Sequence, residues 1–252
     1  MQILFQFLLR LSLGMAGAMA VISPRQVTSG YYRNNLYVLL GLNVLAALLA
    51  WAAPAESPLP LWPPIVAAVL SYLGAVFWLY ELAGPGLLAL LAITATCLSG
   101  DWIAQSPQGS SLIASGLMRL DPLSGGAVLG TTMAAMLLGH WYLNSPGMSL
   151  APLVRLTTGM MAAVVLRAVV SGVGLTLSWQ AAGHFSTNQW LFIGLRWLTG
   201  IAGAMAVAVA ARQTLKVPNT QSATGILYVG VIVTFLGELT AQLLSSRSDF
   251  PL

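Results

Sequence analysis

The sequence predicts an all-α, polytopic transmembrane helix bundle of about eight spans, on three observations. Of 252 residues, 58% are hydrophobic and only 6% charged, with a mean hydropathy of +0.83, whereas a water-soluble domain carries about a quarter charged residues. Eight apolar stretches are long enough to cross a bilayer core about 30 Å thick, which takes about 20 helical residues because each backbone N–H and C=O has to be satisfied within the segment. The gaps hold Pro24, Pro54, Pro58, Gly84-Pro85-Gly86, Pro122, Asn144-Ser145-Pro146-Gly147 and Pro218-Asn219, the breakers and turn formers that connections use.

The first span is read from Gln2 to Ile22. Ala18-Met19-Ala20 resembles a small-residue cleavage site behind an apolar stretch, but no positive residue precedes the run and Arg10 interrupts it, so the segment is retained as a helix. The second and third spans run from Leu36 to Ala53 and from Pro64 to Leu82. The fourth, Gly86 to Ala104, is the weakest, since only fifteen uncharged residues precede Asp101; a segment that short reaches the surface early or is partly re-entrant, leaving seven spans as the alternative. In the long connection that follows, Ser111 to Leu120 places Leu112, Ile113, Leu117 and Leu120 on one helical face, as in a short interfacial helix. The remaining spans are Gly125 to Leu143, Leu153 to Ser178, Trp190 to Ala211 and Ala223 to Ser245, and residues 1–252 form a single integral membrane domain.

With eight spans, the loops after the odd-numbered helices share one side and carry Arg25, Arg33, Arg155, Arg212 and Lys216 against Glu81. That side is expected to be cytoplasmic, with both termini outside a bacterial-type inner membrane. The other side carries Arg119 and Arg247 against Glu56, Asp101, Asp121 and Asp249. Trp51, Trp62, Trp102, Trp179 and Trp190 fall at the outer helix ends and Trp78 and Trp141 toward the inner ends, where amphipathic rings anchor at headgroups.

A shift of 186 positions lays Leu9-Arg10, Gly14 and the run from Ala16 to Val21 onto Leu195-Arg196, Gly200 and the run from Ala202 to Val207, with nine of thirteen positions identical. Arg25-Gln26 and Leu36-Tyr37-Val38 then match Arg212-Gln213 and Leu227-Tyr228-Val229. Coincidence among Ala, Gly and Met is the plain alternative, but arginine inside a span is rare and here it recurs in register, which favours a parallel internal repeat of the first and last helical hairpins. The small residues Gly14 and Ala18, like Gly200 and Ala204, permit close helix packing.

Charges inside a bilayer are costly and therefore mark functional or pairing sites. Counted from the outer helix ends, Arg10 lies about 12 Å deep, Arg196 about 9 Å, Glu238 about 11 Å and Arg167 about 16 Å. They share the outer half. One reading is that they lock the helices together and snorkel outward. The other is a basic pocket in which Arg10, Arg167 and Arg196 donate to an anionic or carbonyl-bearing ligand, with Glu238 as counter-charge or proton carrier and positive charge left over. A second polar set, His140, Tyr37, Tyr142, Tyr228 and Asn43, gathers toward the inner face, where tyrosines usually form the interfacial belt.

No catalytic or metal-binding motif is present: the chain lacks H-E-x-x-H, a Walker loop and a dinucleotide fingerprint. Its two histidines, His140 and His184, fall near opposite faces, so bis-histidine haem is not expected, whereas quinone or lipid would fit. The single cysteine, Cys97, excludes a disulfide scaffold, and the composition excludes a nucleic-acid binder with a basic surface. A stand-alone enzyme is the poorest reading. The first expectation is therefore a non-enzymatic protein of the transporter or channel kind, handling a small anionic or weakly polar ligand. The alternatives are a membrane-anchor or quinone-binding subunit of a respiratory complex, and a structural lipid-binding protein. Its partners would be the lipid bilayer and either complex subunits or copies of itself.

Overall fold

In lipid a helix satisfies its own backbone, and every regular element among the described residues is a helix. The computed structural model describes the chain except for residues 57–58, 106–111, 146, 218, 247 and 249, and for the side chains of 112 and 182. In order the helices are α1 (Gln2–Ala20), α2 (Ser29–Trp51), α3 (Trp62–Leu79), α4 (Ala83–Ala104), α5 (Leu112–Asn144), α6 (Ala151–Ala182), α7 (Thr187–Arg196), α8 (Ala204–Thr214) and α9 (Thr220–Ser245). The stretch Trp197–Gly203 joins α7 to α8 as a π-helix, so these three pieces form one continuous span. Among the described residues, eight helices are then long and apolar enough to cross a membrane.

The fourth helix is long and apolar enough to cross on its own. It has 22 residues, about 33 Å at 1.5 Å per residue, because Gly84-Pro85-Gly86 falls in the first turn of α4, where a proline costs no hydrogen bond. Proline at the start of α3 and α6 works the same way. Asn219 caps α9 by accepting from the Ser222 N–H at 2.9 Å, and Ser186 with Gln189 forms a capping box at the start of α7.

The interfacial helix expected at Ser111 to Leu120 is not a separate element. Ser111 lies outside the described residues, and from Leu112 the chain runs as one 33-residue helix through Pro122 to Asn144. Proline interrupts helices in water by removing a donor, but a span packed among other helices tolerates it where neighbouring groups hold the turn. Here the turn around Pro122 is held by side chains: Ser124 donates to the Asp121 carbonyl at 3.1 Å, and the Asp121 carboxylate is gripped from two sides.

α1 and α5 are the most buried spans. α1 packs on α2, α4, α5 and α9, while α5 packs also on α6 and α9. The α1–α5 crossing is a glycine contact: a Cβ on Gly14 would collide with the Gly126 carbonyl, and one on Gly130 with the Gly14 backbone. In the seventh span, Gly200 meets Gly237 of α9 in the same manner.

At the helix ends nearest the chain termini Trp51, Trp62, Trp102, Trp179 and Trp190 are exposed, as belt residues are. Trp78 departs from that expectation. It is buried, stacked on Tyr32 with ring centroids 3.9 Å apart, and its indole fills the space left by Gly86. The stack ties α2 to α3, and Tyr32 also donates to the Ile22 carbonyl at 2.8 Å.

Candidate functional site: a buried chain of six charges

Four spans each contribute one charged residue from the half of the bundle nearest the chain termini: Arg10 of α1, Arg167 of α6, Arg196 of α7 and Glu238 of α9. The structure brings all four into one connected array. It adds two residues that the sequence placed at or beyond the membrane surface, Asp101 of α4 and Asp121 of α5. Both acids are buried, because α4 and α5 remain helical past the apolar stretch.

The array alternates in sign. Arg10 Nε lies 3.4 Å from either carboxylate oxygen of Asp101, and Arg10 Nη1 is 2.6 Å from Asp121 Oδ2. Asp121 Oδ1 accepts from Arg167 Nη1 at 2.5 Å. Arg167 then donates to Glu238 through Nε and Nη2, at 2.9 and 2.8 Å, and to Ser124 Oγ at 3.2 Å. Glu238 Oε1 lies 3.3 Å from Arg196 Nη2, which also donates to Ser171 Oγ at 3.0 Å. Gln105 donates to Asp101 Oδ2 at 2.9 Å, finishing the first acid.

None of the six side chains is more than 5% exposed. Moving each ion out of water costs several kcal/mol, and only close, hydrogen-bonded opposite charges recover it. Alternation along the chain provides that recovery at the four interior positions, each of which touches two counter-charges. Small residues make room: a Cβ on Gly125 would run into the Glu238 carboxylate, and one on Gly200 into the Arg196 guanidinium.

The expected surplus of positive charge is therefore corrected. Three arginines face three acids, and the array is formally neutral. Satisfaction is nevertheless uneven, because Arg196 shares Glu238 with Arg167. Its Nε and Nη1 are buried with no hydrogen-bond partner among the described residues. Arg196 also lies at the entry to the π-helical stretch, a local widening that often accompanies function.

The expected inner-face set does not assemble into one site. His140 Nδ1 and Tyr228 Oη meet at 3.3 Å, both exposed. Tyr142 instead donates to the Ser149 carbonyl, and Tyr37 is 48% exposed. Asn43 is buried in α2, donating to the Leu39 carbonyl at 2.8 Å and accepting from Cys97 Sγ at 3.4 Å. These residues lie on different faces because α2 turns Tyr37 outward and Asn43 inward.

Asp101 and Asp121 were accessible from charge balance alone. Three arginines at membrane depth with one acid demand further counter-charges, and Asp101 and Asp121 adjoin spans at the matching end. No family model, curated protein or solved structure matches the chain.

Proposed function

We propose that this chain handles a small anionic or weakly polar ligand in a transporter- or channel-like role, with the six-charge array as the element that meets the ligand. The observation carrying the reading is Arg196, a fully buried guanidinium with two nitrogens unpartnered among the described residues. A bundle that needed only cohesion could use apolar packing, which is often as stable as buried ion pairs. The neutral array favours a weakly polar ligand over an anion, which would have to compete with three carboxylates for the same donors.

Reconstitution into vesicles tests the proposal, with solute entry followed by light scattering across a panel of small anions and neutral polar solutes. Wild-type protein is expected to admit at least one of them faster than protein-free vesicles do. Arg196→Leu should slow that entry by about tenfold or more, as for loss of a hydrogen bond from a charged group, and Arg119→Leu should leave it unchanged. Equal behaviour of the two variants, or no entry above protein-free vesicles, removes the reading.

A second reading, a quinone-binding or lipid-binding subunit, is favoured by a cleft of about 760 Å³ between α6, α7 and the end of α9. Phe185, Phe192, Ile193 and Leu244 give it apolar walls, and Ser186 and Gln189 give it a polar rim. Co-purification of stoichiometric subunits or of quinone in mild detergent would favour this reading over transport.

The same proposal includes a bacterial-type inner-membrane location with both termini outside, which the Lys and Arg bias of the loops supports. It also includes the parallel repeat. Arg10 and Arg196 each pair with an acid, and four residues on, Gly14 and Gly200 each meet a glycine backbone of the helix that carries that acid, which supports structural equivalence.

A further inference from the structure

The Arg10 end of the array opens into a small cleft of about 110 Å³ at the terminal end of the bundle. Its walls come from α1, α5, α9 and the residue after α4, and are unusually rich in amides: Gln2, Gln6, Gln105 and Gln242 line it, with Arg10 and Asp121 at its base. Gln242 is only 4% exposed, and neither its amide nitrogen nor its amide oxygen has a hydrogen-bond partner among the described residues. Leaving both unmade is costly, since a buried polar group forfeits its water without compensation.

A second feature borders the same space. Residue 122 is a proline inside α5 and has no N–H, so the carbonyl four residues earlier, on Met118, is left without its helical donor. Met118 lines this cleft. Gln242, with one donor and one acceptor unmade, and Met118, whose carbonyl the proline frees, thus both line a space holding about three waters or one molecule of four or five heavy atoms.

We propose that this cleft binds a small uncharged carboxamide or urea-type solute. A primary amide supplies the complementary set: its carbonyl accepts from Gln242 Nε2, one N–H donates to Gln242 Oε1, and the other donates to the Met118 carbonyl. A carboxylate has no N–H for the two acceptors, and an ammonium has no acceptor for the donor. Formal neutrality of the six charges fits an uncharged occupant. The inference deepens the proposed function by naming the solute class, and it rests on that reading for any role in permeation.

Saturation-transfer NMR on the full chain in lipid nanodiscs tests it directly, with acetamide, urea, acetate and methylammonium as probes. Acetamide and urea are expected to give signals that acetate and methylammonium do not. Gln242→Leu should reduce the acetamide signal by about tenfold, the equivalent of two neutral hydrogen bonds. Should that variant fail to fold, Met118→Trp fills the cleft and leaves Gln242 in place, with the same loss expected. An acetamide signal unchanged in the variants, equal signals from acetamide and acetate, or no signal with wild type, which means a cleft filled by water only, each overturns the inference. Binding without solute entry into vesicles leaves the cleft assigned and removes the transport reading alone. Entry of other solutes without acetamide binding does the reverse.

Discussion

Arg167 and Glu238 meet fork to fork, Nε on Oε1 at 2.9 Å and Nη2 on Oε2 at 2.8 Å, with both side chains fully buried. Two parallel bonds fix the relative rotation of α6 and α9, and a single ammonium cannot reproduce them. Arg167→Lys is therefore expected to behave as a loss, with stability falling by about 3 kcal/mol as for one broken partner in a buried pair. Reversible unfolding in mixed micelles measures it; a Lys variant as stable as wild type contradicts the paired geometry.

Asp121 is the hinge of the array, because it neutralises Arg10 on one side and Arg167 on the other. Replacing it with Asn takes one of two counter-charges from each of two buried guanidinium groups at once. The expected cost is about 3–5 kcal/mol, and the same substitution at exposed Glu56 should be silent. Comparable midpoints for both variants in a thermal melt would show that Asp121 is not buried between cations.

Glycine spacing on α1 offers a sharp internal comparison. At Gly14 an added methyl meets the α5 backbone, which has no side chain to swing away, so Gly14→Ala should cost about 1–3 kcal/mol or more through overpacking. At Gly17 the nearest atoms are those of Thr94 at 3.7 Å, an ordinary contact, and Gly17→Ala should be neutral or slightly stabilising. Fractional folding of the two variants in detergent distinguishes them.

Pro122→Ala restores an N–H that can close on the Met118 carbonyl. Stability is expected to rise by about 1 kcal/mol, the net worth of one backbone hydrogen bond, while acetamide binding weakens. A variant that gains stability and keeps full binding would show that the Met118 carbonyl takes no part.

At the other end, Tyr228 and His140 touch but are exposed, so Tyr228→Phe and His140→Ala should each change stability by no more than about 0.5 kcal/mol. Trp78→Ala, by contrast, should cost about 3–5 kcal/mol, because it empties the stack on Tyr32. Tryptophan fluorescence during chemical unfolding reports both.

Hydropathy made the eight spans readable, since a run such as Leu153 to Ser178 has no stable alternative in lipid. Depth counting also found Arg10, Arg167, Arg196 and Glu238. Asp101 and Asp121 were missed because an apolar window ends where the charge begins, whereas the helix ends where its backbone runs out of partners. Pro122 compounded the error: its punctuating role in water hid the continuity of α5, and with it the depth of Asp121. Trp78 left its expected belt setting for a similar reason, since a belt residue and a core residue share composition and differ only in which way the helix is turned.

Chain order gives the alternating array a consequence for biogenesis. Arg10 enters the bilayer first and waits 91 residues for Asp101, so the nascent first segment is a cation without a counter-ion while the ribosome is still at work. Arg167 emerges after Asp121 and finds an acid ready, but its second acid follows 71 residues later on the final helix, which must also quench Arg196. Synthesis of α9 is thus the step that discharges the assembly, and a chain stopped before it would present quality-control machinery with one unquenched arginine and another half-quenched.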